Sequence, residues 1–262
     1  MKRLLIASLA LALLVPACAL AQSAFNGTWK TNVSSIKSGG EPLVIHLKDG
    51  MYTDNGHPPV KVKADGTDHA VAGHPGYDSV AIEVLNDHSI KETEKKDGKV
   101  VSTVTVTVTP DGKIANYEYT SYTSTGPVTG KGVAERVAKG ATGSNAVAGT
   151  WKFGRMEDAS ANGMTATYMV DGDDISFSTP TGDAYTAKIN GKAVPFTSGM
   201  GAPGITVAVK RMGKDSLRET WYRDGKETSQ DTMTISADGK TMKTISRNLK
   251  NHTHGSSVAE KQ

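Results

Sequence analysis

Residues 89–99 read SIKETEKKDGK and residues 216–226 read SLRETWYRDGK, so one strand-and-turn pattern returns 127 residues further on. The return is not isolated. FNGTWK at Phe25 to Lys30 matches VAGTWK at Val147 to Lys152 with an offset of 122, and GVAERV at Gly132 to Val137 aligns with SVAEKQ at Ser257 to Gln262 with an offset of 125. The small drift in offset falls where loops change length. A chain built this way must fold as two copies of one unit of about 110 residues, which is too long for a solenoid repeat and long enough to bury its own core. The repeats place one domain at 22–137 and a second at 148–262. Between them, residues 138–147 (AKGATGSNAV) have the Gly, Ala and Ser content of a short flexible linker.

Each copy is written in strand periodicity. In VSTVTVTVTP, Val104, Val106 and Val108 alternate with Thr103, Thr105 and Thr107. Val80, Ile82 and Val84 alternate in SVAIEVL, as do Ile205, Val207 and Val209 in ITVAVKR. A period of two puts apolar side chains on one face of a strand. Between these segments lie Asp-Gly and Asn-Gly pairs, among them Asp97-Gly98, Asp111-Gly112, Asp224-Gly225 and Asp238-Gly239. Such pairs supply the positive φ angles of tight hairpins, so consecutive strands should be antiparallel neighbours. The expected fold is all-β: two tandem antiparallel up-and-down barrels of about eight to nine strands each.

The N-terminus, MKRLLIASLALALLVPACALAQS, has Lys2 and Arg3 before an apolar run from Leu4 to Val15 and then small residues. Residues 1–21 therefore read as a secretory signal peptide, with Ala19-Leu20-Ala21 as the cleavage motif and Gln22 as the first mature residue. The chain is expected to be periplasmic or extracellular. The alternative is cleavage before Cys18 and a lipid anchor on it, which Pro16 fits poorly. Cys18 is the one cysteine, so the mature chain expected from Gln22 has neither disulfides nor thiol chemistry. Without Lys2 and Arg3 the charge falls from +3 to +1, with 28 basic against 27 acidic residues. Mixed-sign segments such as KETEKKDGK are not the basic face of a nucleic-acid binder, and beyond the signal no apolar run is long enough for a transmembrane helix.

Each copy opens on Gly-Thr-Trp, at Trp29 and at Trp151, and ends on a basic residue, Arg136 or Lys261. This arrangement resembles the lipocalin and calycin group of small barrels, in which a Gly-x-Trp on the first strand packs beneath an Arg from the last strand and closes the barrel floor. Lys261 stands where that group has Arg. The wider pattern of GTWK, DGxxxxVxGxP (Asp65 to Pro75), DSVAIEV and DGKVVST is similar to lipocalin-like repeats of secreted bacterial proteins of largely uncharacterised biochemistry. The resemblance implies a structural role for Trp29, Arg136, Trp151 and Lys261. A cation over an indole face is favourable by about 0.5–2 kcal/mol.

Candidate chemistry is sparse. Glu92 and Glu219 are equivalent, each on the face of an apolar neighbour, Ile90 or Leu217. If that face is the lumen, a repeated carboxylate could bind a cationic head group or titrate with a raised pKa. If it is the outer face, both are surface acids, and this reading weighs more because Trp221 shares the face in one copy while Glu94 does in the other. His57, His69, His74 and His88 lack ligand spacing and are mostly not matched in the second copy, so they read as loop histidines rather than a metal site. His252 and His254, two apart, read as an exposed pair. Asp173-Asp174 reads as turn residues, and no nucleophile elbow, P-loop or zinc-protease motif is present, so no catalytic residue, cofactor or metal is expected.

Two functional expectations follow. The first is a binding module in which a small apolar or amphipathic molecule enters the mouth of one or both barrels. The alternative is a protein-interaction module of the cell envelope, such as an accessory factor or protease inhibitor. A lumen lined by small and apolar residues favours a ligand, whereas one packed with Phe and Trp favours a scaffold. Aromatic residues make up 6% of the chain, which leaves room for a cavity.

Overall fold

The computed structural model describes residues 23–249 and 253–262. The expected signal peptide, Cys18 and His252 lie outside the described residues. In chain order the strands are β1 (Gly27–Thr31), β2 (Lys37–Gly39), β3 (Leu43–Lys48), β4 (Met51–Asp54), β5 (Lys61–Lys63), β6 (His69–Ala70) and β7 (Ser79–Asn86). Next come β8 (Ser89–Lys96), β9 (Lys99–Val108), β10 (Ile114–Thr123), β11 (Gly126–Lys139), β12 (Gly149–Ala159), β13 (Thr165–Asp171) and β14 (Asp174–Ser178). The last are β15 (Ala184–Lys188), β16 (Asn190–Pro195), β17 (Ile205–Gly213), β18 (Ser216–Arg223), β19 (Lys226–Ile235), β20 (Thr241–Asn248) and β21 (His254–Lys261). Two of the expected hairpin turns have positive φ at both residues, Asp97-Gly98 and Asp224-Gly225, whereas in Asp111-Gly112 and Asp238-Gly239 only the glycine does.

These strands form two antiparallel, nearly closed barrel-like sheets, as the periodicity predicts. One runs β5-β4-β3-β12-β11-β10-β9-β8-β7-β6; the other runs β15-β14-β13-β1-β21-β20-β19-β18-β17-β16, with β2 added beside β21. Each path has ten strands rather than eight or nine, because the segments after β4 and β15 add short strands to the edges. Ala184 and Thr197 exchange both backbone hydrogen bonds, at 3.0 and 2.9 Å, across the seam of the second barrel. In the first, the Gly66 amide reaches the Ile82 carbonyl at 2.9 Å.

Strand membership departs from the repeat boundaries 22–137 and 148–262. The opening strand of the second copy, β12, pairs with β11 and β3 and completes the first barrel. The opening strand of the first copy, β1, pairs with β13 and β21 and completes the second. The first barrel is thus one continuous segment, 43–159, set into the chain of the second. The physical reason is chain proximity. Only residues 140–148 separate β11 from β12, so a hairpin between them closes at low entropic cost, and β1 is left to pair with β21.

The expected flexible linker is accordingly docked. Val147 and Ala148 are fully buried, and the Asn145 side chain donates to the Asn86 carbonyl at 2.9 Å and accepts from the Val147 amide at 2.9 Å. Each barrel has its own apolar cluster, one including Ile45, Ile82, Ile90 and Trp151, the other Trp29, Ile175, Val209 and Leu217.

Candidate functional site

Strand register arranges the inward side chains of the first barrel in layers. On β10, Ala115, Tyr117, Tyr119 and Ser121 point to one face; opposite them on β9 stand Val108, Val106, Val104 and Ser102. Ile90, Glu92 and Glu94 of β8 oppose Val106, Val104 and Ser102 in turn. From the floor upward the lumen therefore passes from Trp151, Ala115 and Ala134, through Ile90, Val106 and Tyr117, to Glu92, Val104 and Tyr119, and finally to Glu94, Ser102 and Ser121. Polarity rises along this axis.

The lumen is hollow. A cavity of about 360 Å³ is lined by Trp151 and Ala134 at its floor, by Ile45, Val104 and Val106 on its walls, and by Glu92, Ser102 and Ser121 above. Glycines keep it open. Gly130 and Gly132 of β11 stand in the inward row with Ala134, and the Tyr119 and Tyr117 rings lie against them; a Cβ on Gly130 would sit 2.6 Å from the Tyr119 ring.

Glu92 lies at the side of this cavity with other acids around it. Burial, followed by the charges of Glu94 and Asp54, pushes its carboxyl up to about 8. Burial also raises Glu94, opposed by a hydrogen bond from Ser102. Tyr52 donates to Asp54 Oδ2 at 3.3 Å, and its phenol is driven up by burial and then by the charge of Glu92. Burial and the charges of Glu94 and Glu92 act likewise on Tyr77. Among the described residues, no lysine, arginine or histidine lines the cavity.

The second barrel solves the same interior differently. Glu219 is buried, accepts from Tyr185 at 2.5 Å and lies 3.5 Å from the Tyr168 hydroxyl. Phe177 stacks on Tyr185 at 5.2 Å, and Trp221 meets Tyr185 and Phe196 edge-on at 6.4 and 5.0 Å while donating to Asp231 at 2.8 Å. Here too burial is the main cause that pushes Glu219 up, to about 7, against the lowering effect of the Tyr185 hydrogen bond.

Register makes the two interiors comparable residue by residue. Ile45 pairs with Asp54 where Tyr168 pairs with Phe177; Glu94 faces Val80 where Trp221 faces Val207. Val60, whose carbonyl accepts from the Asp54 amide, occupies the place of Tyr185, which pairs with Phe177. Four aromatic residues that fill the second barrel are thus two aliphatic residues and two acids in the first. Of the latter four residues Ile45 lines the cavity, while Asp54 and Glu94 add negative charge beside Glu92.

The floor pairs are present, but crossed between copies. The Arg136 guanidinium lies 4.0 Å from the Trp151 ring centre and donates to the carbonyls of Gly112, Ala146 and Ala148. Lys261 lies 5.3 Å from the Trp29 ring centre. Each indole also donates to a backbone carbonyl four residues before it, Trp29 to Phe25 and Trp151 to Val147, both at 2.8 Å.

The weighing of Glu92 and Glu219 toward an outer surface is corrected: one lines the cavity and the other is buried. Among the remaining candidates, His57, His88 and His254 are exposed, His69 pairs with Asp65 at 2.9 Å, and His74 stacks on Tyr77 at 4.4 Å. Among the described residues, no group of three or more His, Cys, Asp or Glu is placed to hold a metal, and no helix is long and apolar enough to cross a membrane. Asp54, Tyr52 and Tyr77 were not identified as site residues from the sequence; the alternation Tyr52-Asp54 within β4 is the signal that points to the first two. Neither the family models nor the curated protein sequences give a match to this chain.

Proposed function

We propose that this is an exported, lipocalin-like binding protein whose first barrel takes up one small amphipathic molecule, while the second barrel is a filled structural partner. The carrying observation is the contrast between a hollow lumen of about 360 Å³ in one copy and an aromatic-packed interior in the other. Ligand sites are concave, mostly apolar and marked by a few converging polar groups, and the first barrel has this composition. Its apolar floor accepts a hydrocarbon body and its upper layers accept a polar head. The N-terminal signal sequence supports export.

The test is fluorescence titration with N-phenyl-1-naphthylamine, a neutral apolar probe, against the full mature chain and against Val104→Phe, which fills the lumen. Saturable binding at one site per chain, lost in the variant, is the expected result. Absence of saturable binding, or equal binding by the variant, would overturn the assignment.

A further inference from the structure

Glu92 lines the cavity, and Glu94 and Asp54 stand beside it, Asp54 accepting from the Gly56 and Val60 amides. Glu92 and Glu94 come from β8 and Asp54 from β4, and the charges of Glu94 and Asp54 both act on the Glu92 carboxyl. Among the described residues, the side chains that line the cavity include no base. In the second barrel the equivalent carboxylate is satisfied by two tyrosine hydroxyls, whereas Ile45 and Val60 stand in those positions around Glu92. At those two positions the first barrel has apolar side chains instead of hydroxyl donors, and two further acids stand nearby. An arrangement of this kind disfavours an anionic head. It suits a donor that brings its own positive charge, because a charge-assisted hydrogen bond to a desolvated carboxylate is the strong kind.

We propose that the ligand of the first barrel carries a cationic amine head, held at Glu92 with the negative charges of Glu94 and Asp54 nearby, and that its apolar body is directed toward Trp151. This rests on the ligand-binding reading above and specifies its chemistry. The tyrosines Tyr52, Tyr117 and Tyr119 add ring faces that a cation also favours.

Proton balance supplies a second signature. Asp54 and Tyr52 of β4, Glu94 of β8, Tyr77 before β7, and Tyr117 and Tyr119 of β10 are the titratable groups around Glu92. With its carboxyl pushed up to about 8, Glu92 is largely protonated at pH 7 in the empty barrel. An ammonium seated beside it favours the carboxylate, so the Glu92 proton leaves to solvent as the amine binds. Affinity for the amine should rise as pH increases from 6 toward 8.

The experiment is calorimetric titration of the mature chain with decylammonium, decanol and decanoate below their micellar concentrations, at pH 7 in two buffers of different ionisation enthalpy. Decylammonium should bind at least about tenfold more tightly than decanol, as a charge-assisted contact implies, and should release most of one proton, with decanoate weakest. In Glu92→Gln, whose folding is checked by thermal melting, decylammonium should fall to the affinity of decanol and the proton release should vanish. Equal or tighter binding of decanol or decanoate overturns the amine assignment while leaving a ligand-binding barrel. Failure of all three to bind overturns both.

Discussion

The guanidinium of Arg136 lies 4.0 Å from the centre of the Trp151 ring and thereby joins the last strand of the first repeat to the first strand of the second. Lys261 and Trp29 make the reciprocal connection at 5.3 Å. The two barrels are consequently bound together by the exchange of their opening strands, and each needs the other copy's tryptophan for its floor.

Chain limits for an autonomous first barrel follow from that exchange. A fragment spanning 43–159 contains every strand from β3 to β12 and should unfold in one cooperative transition. The fragment 22–137, cut at the sequence repeat, lacks Trp151 and leaves Arg136 without its ring, so it should show no sharp transition. Circular dichroism melts of the two distinguish these outcomes, and the reverse ranking would contradict the strand exchange.

The floor cations differ in their hold. Arg136 serves three carbonyls in addition to the indole, whereas Lys261 makes one long contact, 3.4 Å to the Ala24 carbonyl. Arg136→Ala should cost about 2–4 kcal/mol of unfolding free energy, because it orphans acceptors as well as a ring. Lys261→Ala should cost less than about 1 kcal/mol, as an exposed charge contact does. Urea titration reads both.

Glu219 makes stability depend on pH. Its folded pKa of about 7 lies above the ordinary 4.5, so between those values the unfolded chain has released a proton that the folded chain retains. Stability is therefore undiminished below pH 4.5, falls as pH rises to about 7, and stays lowered above. Relative to wild type, Glu219→Gln should be unchanged at pH 4.5 and gain roughly 3 kcal/mol at pH 8. Paired denaturant melts at the two pH values check the sign.

Gly130 holds space for the Tyr119 ring, which a Cβ would meet at 2.6 Å. Gly130→Val should push that ring into the lumen and weaken binding of the naphthylamine probe by about tenfold or more, the effect of losing a small apolar contact area of one to two kcal/mol. Unchanged affinity would show that the ring does not gate the cavity.

Much of this architecture is legible in the residues themselves. Alternating Val104, Val106 and Val108 and the Asp-Gly turns lead to antiparallel strands, and the Gly-Thr-Trp openings identify the floor tryptophans. The crossing of those floors is not legible, since Trp151 matches Trp29 and a periodic pattern cannot say which of two equivalent last strands a first strand joins. Glu92 and Glu219 illustrate a second limit. An acid in mid-strand ordinarily pays a desolvation penalty, so periodicity alone weighs it toward water; it takes Tyr168 and Tyr185, brought from over thirty residues away, to make Glu219's burial tolerable. That Ile45, Val60, Asp54 and Glu94 stand where the other copy has aromatics is a relation visible only after strand register aligns the two.

The most direct measurement is native mass spectrometry of the protein purified without detergent from its source, compared with Val104→Phe prepared identically. One small-molecule adduct per chain, released on denaturation and absent from the variant, is the result predicted by one hollow and one filled barrel. A bare chain in both preparations, or two adducts per chain, would contradict it.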